Sequence, residues 1–361
     1  MTQQKQLRFW ALAIAGFVAM IWVLGDILLP FVLGLVIAYL LDPITDKLES
    51  RIKRRSLAAL TALSATGLVI LIFVALFIPI IITQIKGLII DLPAYGTSLK
   101  AQIMPLVERI FASMSTADIE RLHEAVQTQA GSLTSVAANA ARNLLESGLA
   151  LFDIVSLLLI TPIVAFYFLR DWDRIKARVA DLLPRAHAPV IRAILKDIDR
   201  TLAGFLRGQG LVCLFLGIFY VIFLTLAGLN FALLIGLAVG VLSFIPFVGT
   251  ATGFIASISI ALFQFDSWVR ITIVLAILII GQFIEGNFLT PRVVGDRVGL
   301  HPVWVIFAIM AGGALFGFTG VLIAVPVMAV IGVLSRFALS RYLDSPYYGH
   351  CGANDKEEGA K

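Results

Sequence analysis

The chain has 361 residues, of which 60% are apolar and 14% charged, and its formal net charge is +5. A soluble domain carries about 25% charged residues, and polar side chains must cover its outside, so a water-soluble fold is excluded and lipid is the solvent that fits. The positive charge is accounted for by membrane topology, and no nucleic-acid partner is expected.

The N-terminus places Lys5 and Arg8 before an uncharged run over 9–25. No small-x-small cleavage pattern precedes Asp26, so the run reads as an uncleaved first span rather than a removable signal. A helix needs roughly 20 apolar residues to cross a hydrocarbon core of ~30 Å. By that ruler 9–25 and 27–41 form a tight helical hairpin with Asp26 at its tip and Pro30 just inside. A polar connector over 42–55 carries Lys47, Arg51, Lys53, Arg54 and Arg55, and 56–85 is a charge-free span. Residues 1–85 thus hold the first three membrane segments.

From 86 to 147 the composition turns soluble. Ile103, Leu106, Val107, Ile110, Phe111 and Met114 draw one apolar helical stripe, and Ile119, Leu122 and Val126 a second. Ser115 with Asp118 resembles a capping box between them, with Asp where Glu or Gln is usual. These helices rest on the bilayer or on each other, or they serve as an outer gate or oligomer contact. Residues 148–169 form the next span, interrupted by Asp153 and Pro162. Residues 170–207 are basic, and Val190, Ile194, Leu195, Ile198, Leu202 and Phe205 share a helix face opposite Arg192, Lys196 and Arg200. That is the pattern of a helix at an anionic leaflet surface.

Residues 208–341 read as the transport core, followed by a polar tail over 342–361. The core opens with 208–265, which contain no Asp, Glu, Lys or Arg. This stretch reads as one span plus a pair broken at Ser243-Phe-Ile-Pro246-Phe-Val-Gly249. Residues 268–289 form a span carrying Glu285. The charge-free stretch 298–335 is broken by Gly312, Gly313, Gly317 and Gly320 and reads as a short hairpin. The expected fold is therefore an all-α polytopic membrane protein of about seven to eight membrane segments, counting broken or re-entrant hairpins. It carries an extracytoplasmic helical insertion.

Lys and Arg are concentrated in 42–55 and 170–207, which the positive-inside rule places in the cytoplasm. The insertion 86–147 is poorer in them for its length and falls outside. Both termini come out cytoplasmic, in a bacterial inner membrane.

The chain lacks the phosphate-loop, dinucleotide, zinc-protease and nucleophile-elbow patterns, so no enzyme activity, cofactor or metal centre is expected. Cys213 and Cys351 are not expected to pair. Attention falls on polar and helix-breaking groups at membrane depth, which are costly there and usually face a cavity or a partner. Gln282 and Glu285 are three apart and share a helix face. Gly286 and Pro291 weaken the helix just beyond, near Asn287 and Arg292. Freed carbonyls with the Glu285 carboxylate would hold a cation or carry a proton, and Arg292 would pair with Glu285 or an anion. The alternative is that Glu285 sits near the interface and locks two helices together. Pro246, Gly249 and Gly253 either break a helix beside a substrate path or serve close helix packing, as Gly236 and Gly240 also would. Asp26, Asp153 and His301 are weaker candidates, more readily explained by interfacial positions.

Glu285-Gly-Asn287-Phe-Leu-Thr-Pro291-Arg292-Val-Val-Gly295, followed by Gly299-Leu-His301-Pro302, resembles the C-terminal signature of the autoinducer-2 exporter family of bacterial permeases. The blocks Leu242 to Gly249, Gly312 to Pro326, and Thr161-Pro162 with Phe166 to Asp171 resemble further parts of it, so the likeness covers nearly the whole chain. The resemblance implies a homo-oligomeric permease that exports autoinducer-2 or exchanges sodium or lithium for protons. The expected partners are the lipid bilayer, further copies of the chain, and a small-molecule or cation substrate. A passive oligomeric channel and a non-transporting scaffold are the competing classes.

Overall fold

The computed structural model describes residues 16, 20, 24–110, 148–185, 187–294, 301–345 and 348, and among them every regular element is helical. Most of the expected first span, the second outer stripe with its capping box, Cys351 and the tail beyond 348 lie outside the described residues. The chain divides into two compact units. One comprises Met1–Leu63, Leu159–Gly210 and Thr290–Lys361, the other Ser64–Leu158 and Leu211–Leu289.

In the first unit a 3-10 turn, Gly25–Ile27, leads into α1, Leu28–Ile52. The polar connector expected over 42–55 is instead helical as far as Ile52. Two features of the sequence keep it wound. Asp42, Asp46 and Glu49 fall on one face, and all three accept from the guanidinium of Arg55, at 2.8 Å for Asp42 and 2.9 Å for Glu49. Pro43 has no N–H for the carbonyl of Tyr39, four residues back, which would otherwise be orphaned. Arg207 Nε donates to that carbonyl at 2.9 Å. Lys53 then ends the helix in the left-handed region, its N–H bonded to Glu49 O.

Arg55 opens α2, Arg55–Ile110, and its Nε also donates to the carbonyl of Leu169 on α3, Gly148–Asp181, at 2.9 Å. One guanidinium therefore ties three helices. Tyr39 Oη donates to Asp199 on α4, Ala188–Leu226, at 2.9 Å, and Arg207 reaches Asp42 at 3.4 Å. Ala38, Leu41, Ala59 and Leu169 pack beneath. Tyr39→Phe keeps the ring against Trp172, whose centroid lies 5.4 Å away, and removes only the bond to a charged acceptor. Thermal unfolding in detergent should show a loss of about 1.5 kcal/mol; no change would mean that Asp199 finds another donor.

The last helical stretch, α8, Pro302–Leu343, is the hairpin expected from its glycines. Phe316 and Gly317 leave helical geometry, with Gly317 at φ 57 and ψ -138, a region only glycine adopts readily. The chain folds back so closely that a Cβ on Gly312 would lie 2.8 Å from the carbonyl carbon of Gly320. At the hairpin tip Phe316 reaches Gly25, where an added Cβ would lie 3.4 Å from its ring.

In the second unit α2 continues without a break from the span into the stretch assigned to the outer segment. Its 56 residues amount to roughly 84 Å, far more than the hydrocarbon core takes up. Leu71 and Leu76 are 63% and 64% exposed within a charge-free run, as lipid permits and water does not. α3 likewise runs through Pro162 and past Leu169. α4 joins the basic amphipathic stretch and the following span in one helix.

Beyond α4 the broken pair is present as α5, Ala232–Leu242, and α6, Val248–Gln264, followed by α7, Trp268–Ile284. At ~1.5 Å per residue, 11 and 17 residues give roughly 17 and 26 Å, short of a full crossing. Glycines let these helices meet backbone to backbone. A Cβ on Gly240 would lie 2.8 Å from Gly217 Cα of α4, and one on Gly253 would lie 2.7 Å from the Val239 side chain of α5.

In lipid the exposed backbone groups at these helix ends need protein partners. Gln84 of α2 accepts from Leu234 N at 3.0 Å, while Gln264 accepts from Asn230 N and donates to Gly228 O, both at 2.7 Å. Around them Leu216, Leu224, Val274 and Leu278 form a fully buried core. Among the described residues, five helices are long and apolar enough to cross a membrane, namely Leu28–Ile52, Arg55–Gly87, Ala188–Leu226, Trp268–Leu289 and Val303–Leu343. The hairpin lies within the last of these.

Candidate functional site

α5 ends at Leu242, and the chain turns over Ser243 to Phe247, with Phe247 in the left-handed region at φ 70. Pro246, half-buried, cannot donate to a continuing helix, so the break falls where the sequence places it. Gly249 is buried against this turn, where a Cβ would lie 2.5 Å from Ser243 N. The geometry at Gly249 and Gly253 is that of close packing.

α7 passes at Glu285 into a π-helix, Glu285–Val294. Gly286 and Pro291 disfavour regular α winding, and wide π turns occur frequently at functional sites. Glu285 is half-buried, and the Thr250 hydroxyl on the first turn of α6 donates to its Oε2 at 3.5 Å. Two stretches that the sequence separates by some thirty-five residues, the proline break and the Glu285 segment, are thereby joined.

One turn before Glu285, Gln282 has its Oε1 buried without a hydrogen-bond partner. Gly281 lies under Tyr220 of α4, whose hydroxyl donates to Leu278 O at 3.5 Å. Ser257, fully buried on α6 seven residues after Thr250, has an unpartnered hydroxyl oxygen as well. Thr250, Gly253 and Ser257 thus draw a small, partly polar stripe along one face of α6.

Between 211 and 289 the sequence has two acids, Asp266 in the loop before α7 and Glu285. Among the described residues no basic side chain forms an ion pair with Glu285. Arg270, the one base in that stretch, lies over the Phe265 ring near the far end of α7.

Asn287 is exposed and donates to Phe283 O at 3.0 Å, serving its own helix. Pro291 is exposed, and the Arg292 and Asp26 side chains lie outside the described residues, as does that of Asp153. His301 caps α8, its Nδ1 accepting from Val303 N at 3.4 Å. Thr250 and Ser257 were not expected from the sequence. Their spacing from Gly253 on the packing face of α6 is the signal that would have found them.

Long apolar helices wetted by lipid, joined by short broken ones that carry buried polar side chains, define a multi-pass membrane protein of the transporter class. The model of the AI-2E family transporter matches residues 11–339, and the chain belongs to that family. It is 29% identical to YueF of Bacillus subtilis (strain 168), provisionally named a transport protein, over 91% of this chain and 92% of that one. It is 28% identical to PerM of Escherichia coli (strain K12), provisionally named a permease, over 88% and 89% of the two. It is also 29% identical to YrrI of Bacillus subtilis (strain 168), again provisionally a transport protein, over 86% of each.

Proposed function

We propose that the chain exports a small polar solute across a bacterial inner membrane, with Glu285, Thr250, Gln282 and Ser257 as the polar groups it meets. The observation that carries this reading is the Thr250–Glu285 contact at 3.5 Å, which brings the acid at the end of α7 to the break before α6. The group is rich in acceptors. A carboxylate, an amide oxygen and a hydroxyl oxygen favour a solute that brings hydroxyl donors, or a cation. A solute of the autoinducer-2 type fits this description. Pro246 and Gly249 would shape one side of the path. Asn287, Pro291 and Arg292, which follow Glu285 in the chain, are the further candidates for meeting the solute.

Both termini are assigned to the cytoplasm and residues 86–147 to the outer side, and several copies assemble into the working unit. The charge distribution over 42–55 and 170–207 supports that orientation. A second reading, exchange of sodium or lithium for protons, is favoured by Glu285 having no basic partner among the described residues. A carboxylate in that position can take either a proton or a cation.

Proteoliposome flux with and without an imposed pH gradient tests both. Glu285→Gln should lower flux at least about tenfold, the equivalent of one lost hydrogen bond to a charged group. Full flux in Glu285→Gln removes the carboxylate from the path. Sodium-driven alkalinisation of the wild type that is lost in the variant selects the exchanger over the exporter.

A further inference from the structure

The first unit contains a groove of about 1080 Å³ between the N-terminal half of α4 and the C-terminal end of α8. That volume lies slightly above the usual range of roughly 300–1,000 Å³ for organic-ligand sites and exceeds what a free inorganic ion needs. Its apolar lining comes from Val190 and Ile194 of α4 and from Val333 and Phe337 of α8. Its charged lining consists of Arg200, Arg336 and Arg341 against the single acid Asp197, three positive charges against one negative, or +2.

Two of the guanidinium groups are only loosely engaged. Arg200 reaches Asp197 at 3.7 Å with both side chains well exposed, and Arg341 rests over the Phe337 ring at 5.6 Å. A weak exposed pair of this kind yields readily to a stronger anion.

The depth of the groove follows from the sequence. Arg200 lies two turns before the charge-free stretch that starts at 208, and Arg336 is the first charge after the stretch that ends at 335. On both helices the arginines lie just outside a charge-free stretch, where a span would give way to headgroups, and Val333 lies inside one.

We propose that this groove is a binding site for an anionic phospholipid. Its phosphate is held by Arg200 and Arg341, and an acyl chain lies along Val333 and Phe337. Arginine suits the phosphate because its planar fork donates to two oxygens at once. The apolar lining distinguishes a lipid from a free phosphate ester, and the positive charge distinguishes an anionic lipid from a zwitterionic one. The inference needs only the headgroup depth of the arginines and is independent of the transport path, because its readout is lipid retention and not flux.

The full chain, purified in neutral detergent, is offered phosphatidylglycerol or phosphatidylcholine, and bound lipid is counted by native mass spectrometry. Phosphatidylglycerol should be retained in preference, and Arg200→Ala with Arg341→Ala should weaken that retention about tenfold. Arg174→Ala with Lys196→Ala removes the same charge outside the groove and should leave retention unchanged. Soluble glycerol phosphate should not compete.

Equal retention of the two lipids, equal loss in the control pair, or displacement by glycerol phosphate would each overturn the proposal. So would a groove variant that changes subunit number and not lipid retention, which would assign the groove to a second copy. Should the groove variant fail to fold, phosphatidylglycerol with a photoreactive acyl chain is crosslinked to the wild type. Labels within 189–201 and 333–341 support the site, and labels confined elsewhere refute it.

Discussion

Gly320→Val is expected to yield protein that no longer elutes as a single species in detergent, with a stability loss of about 3 kcal/mol or more. The two arms of α8 meet backbone to backbone, so the added atoms find no side chain to push aside. A Cβ at Gly320 falls on the carbonyl oxygen of Gly312, and it would lie 2.6 Å from the carbonyl carbon and 2.9 Å from Phe316 Cβ. The arms can accept it only by parting. Parting opens the contact with Ala324, which lies 3.4 Å from where a Gly312 Cβ would stand, and it strains the turn at Gly317. In lipid, close van der Waals contact is what joins helices, because hydrocarbon solvates a separated helix as well as a packed one. Gly67→Ala is the internal comparison, since a Cβ there meets nothing within 4 Å. Replacing that helical glycine should be neutral or mildly stabilising. Size-exclusion elution and unfolding midpoint measured together decide the matter. A Gly320→Val protein matching its parent in both would mean that the hairpin is looser than its backbone distances indicate.

The hairpins were legible because glycine and proline leave a mark that chemistry forces. Pro246 cannot donate, Gly317 alone tolerates its backbone angles, and both stand in stretches without charge. Helix continuity was less legible. A charged segment in a membrane protein reads as a loop, yet the chain remains helical from Asp42 to Ile52, and the helix expected over the basic stretch before Arg207 runs on unbroken into the following span. In both places the charges serve distant partners. Asp42 waits for Arg55, and the Tyr39 carbonyl left free by Pro43 waits for an arginine far along the chain. No local pattern announces such a partner.

The same holds for the candidate site. Gln282 and Glu285 were visible as polar groups at the wrong depth, but their neighbour Thr250 was hidden among small residues on a packing face. Asn287 donates to the carbonyl of Phe283, since an amide near a helix break satisfies its own backbone as readily as a ligand.

The second large effect is expected at Arg55. Arg55→Ala should cost about 3 kcal/mol of stability, at the lower end of what breaking a buried ion pair costs. The partners are unequal, and their exposure ranks them. Asp46 is 59% and Glu49 38% exposed, so water and salt take over much of what they lose. Asp42 is 25% exposed, and the Leu169 carbonyl is approached by Arg55 from within the bundle. These two groups carry most of the loss. Removing the guanidinium also leaves three carboxylates along one face of α1, of which, among the described residues, Asp42 alone keeps an ion pair, with Arg207, and their mutual repulsion adds to the cost.

Arg55→Lys should recover little, because an ammonium with three donors cannot serve three carboxylates and a carbonyl together in the planar spread that arginine provides. Double-mutant cycles in detergent, followed by thermal unfolding, separate the contributions. Coupling of Arg55 to Asp42 should exceed coupling to Asp46 several-fold, and raised salt should erase the second before the first. Equal couplings would show that the three acids act as a diffuse negative patch and that α1, α2 and α3 are held together by apolar packing alone.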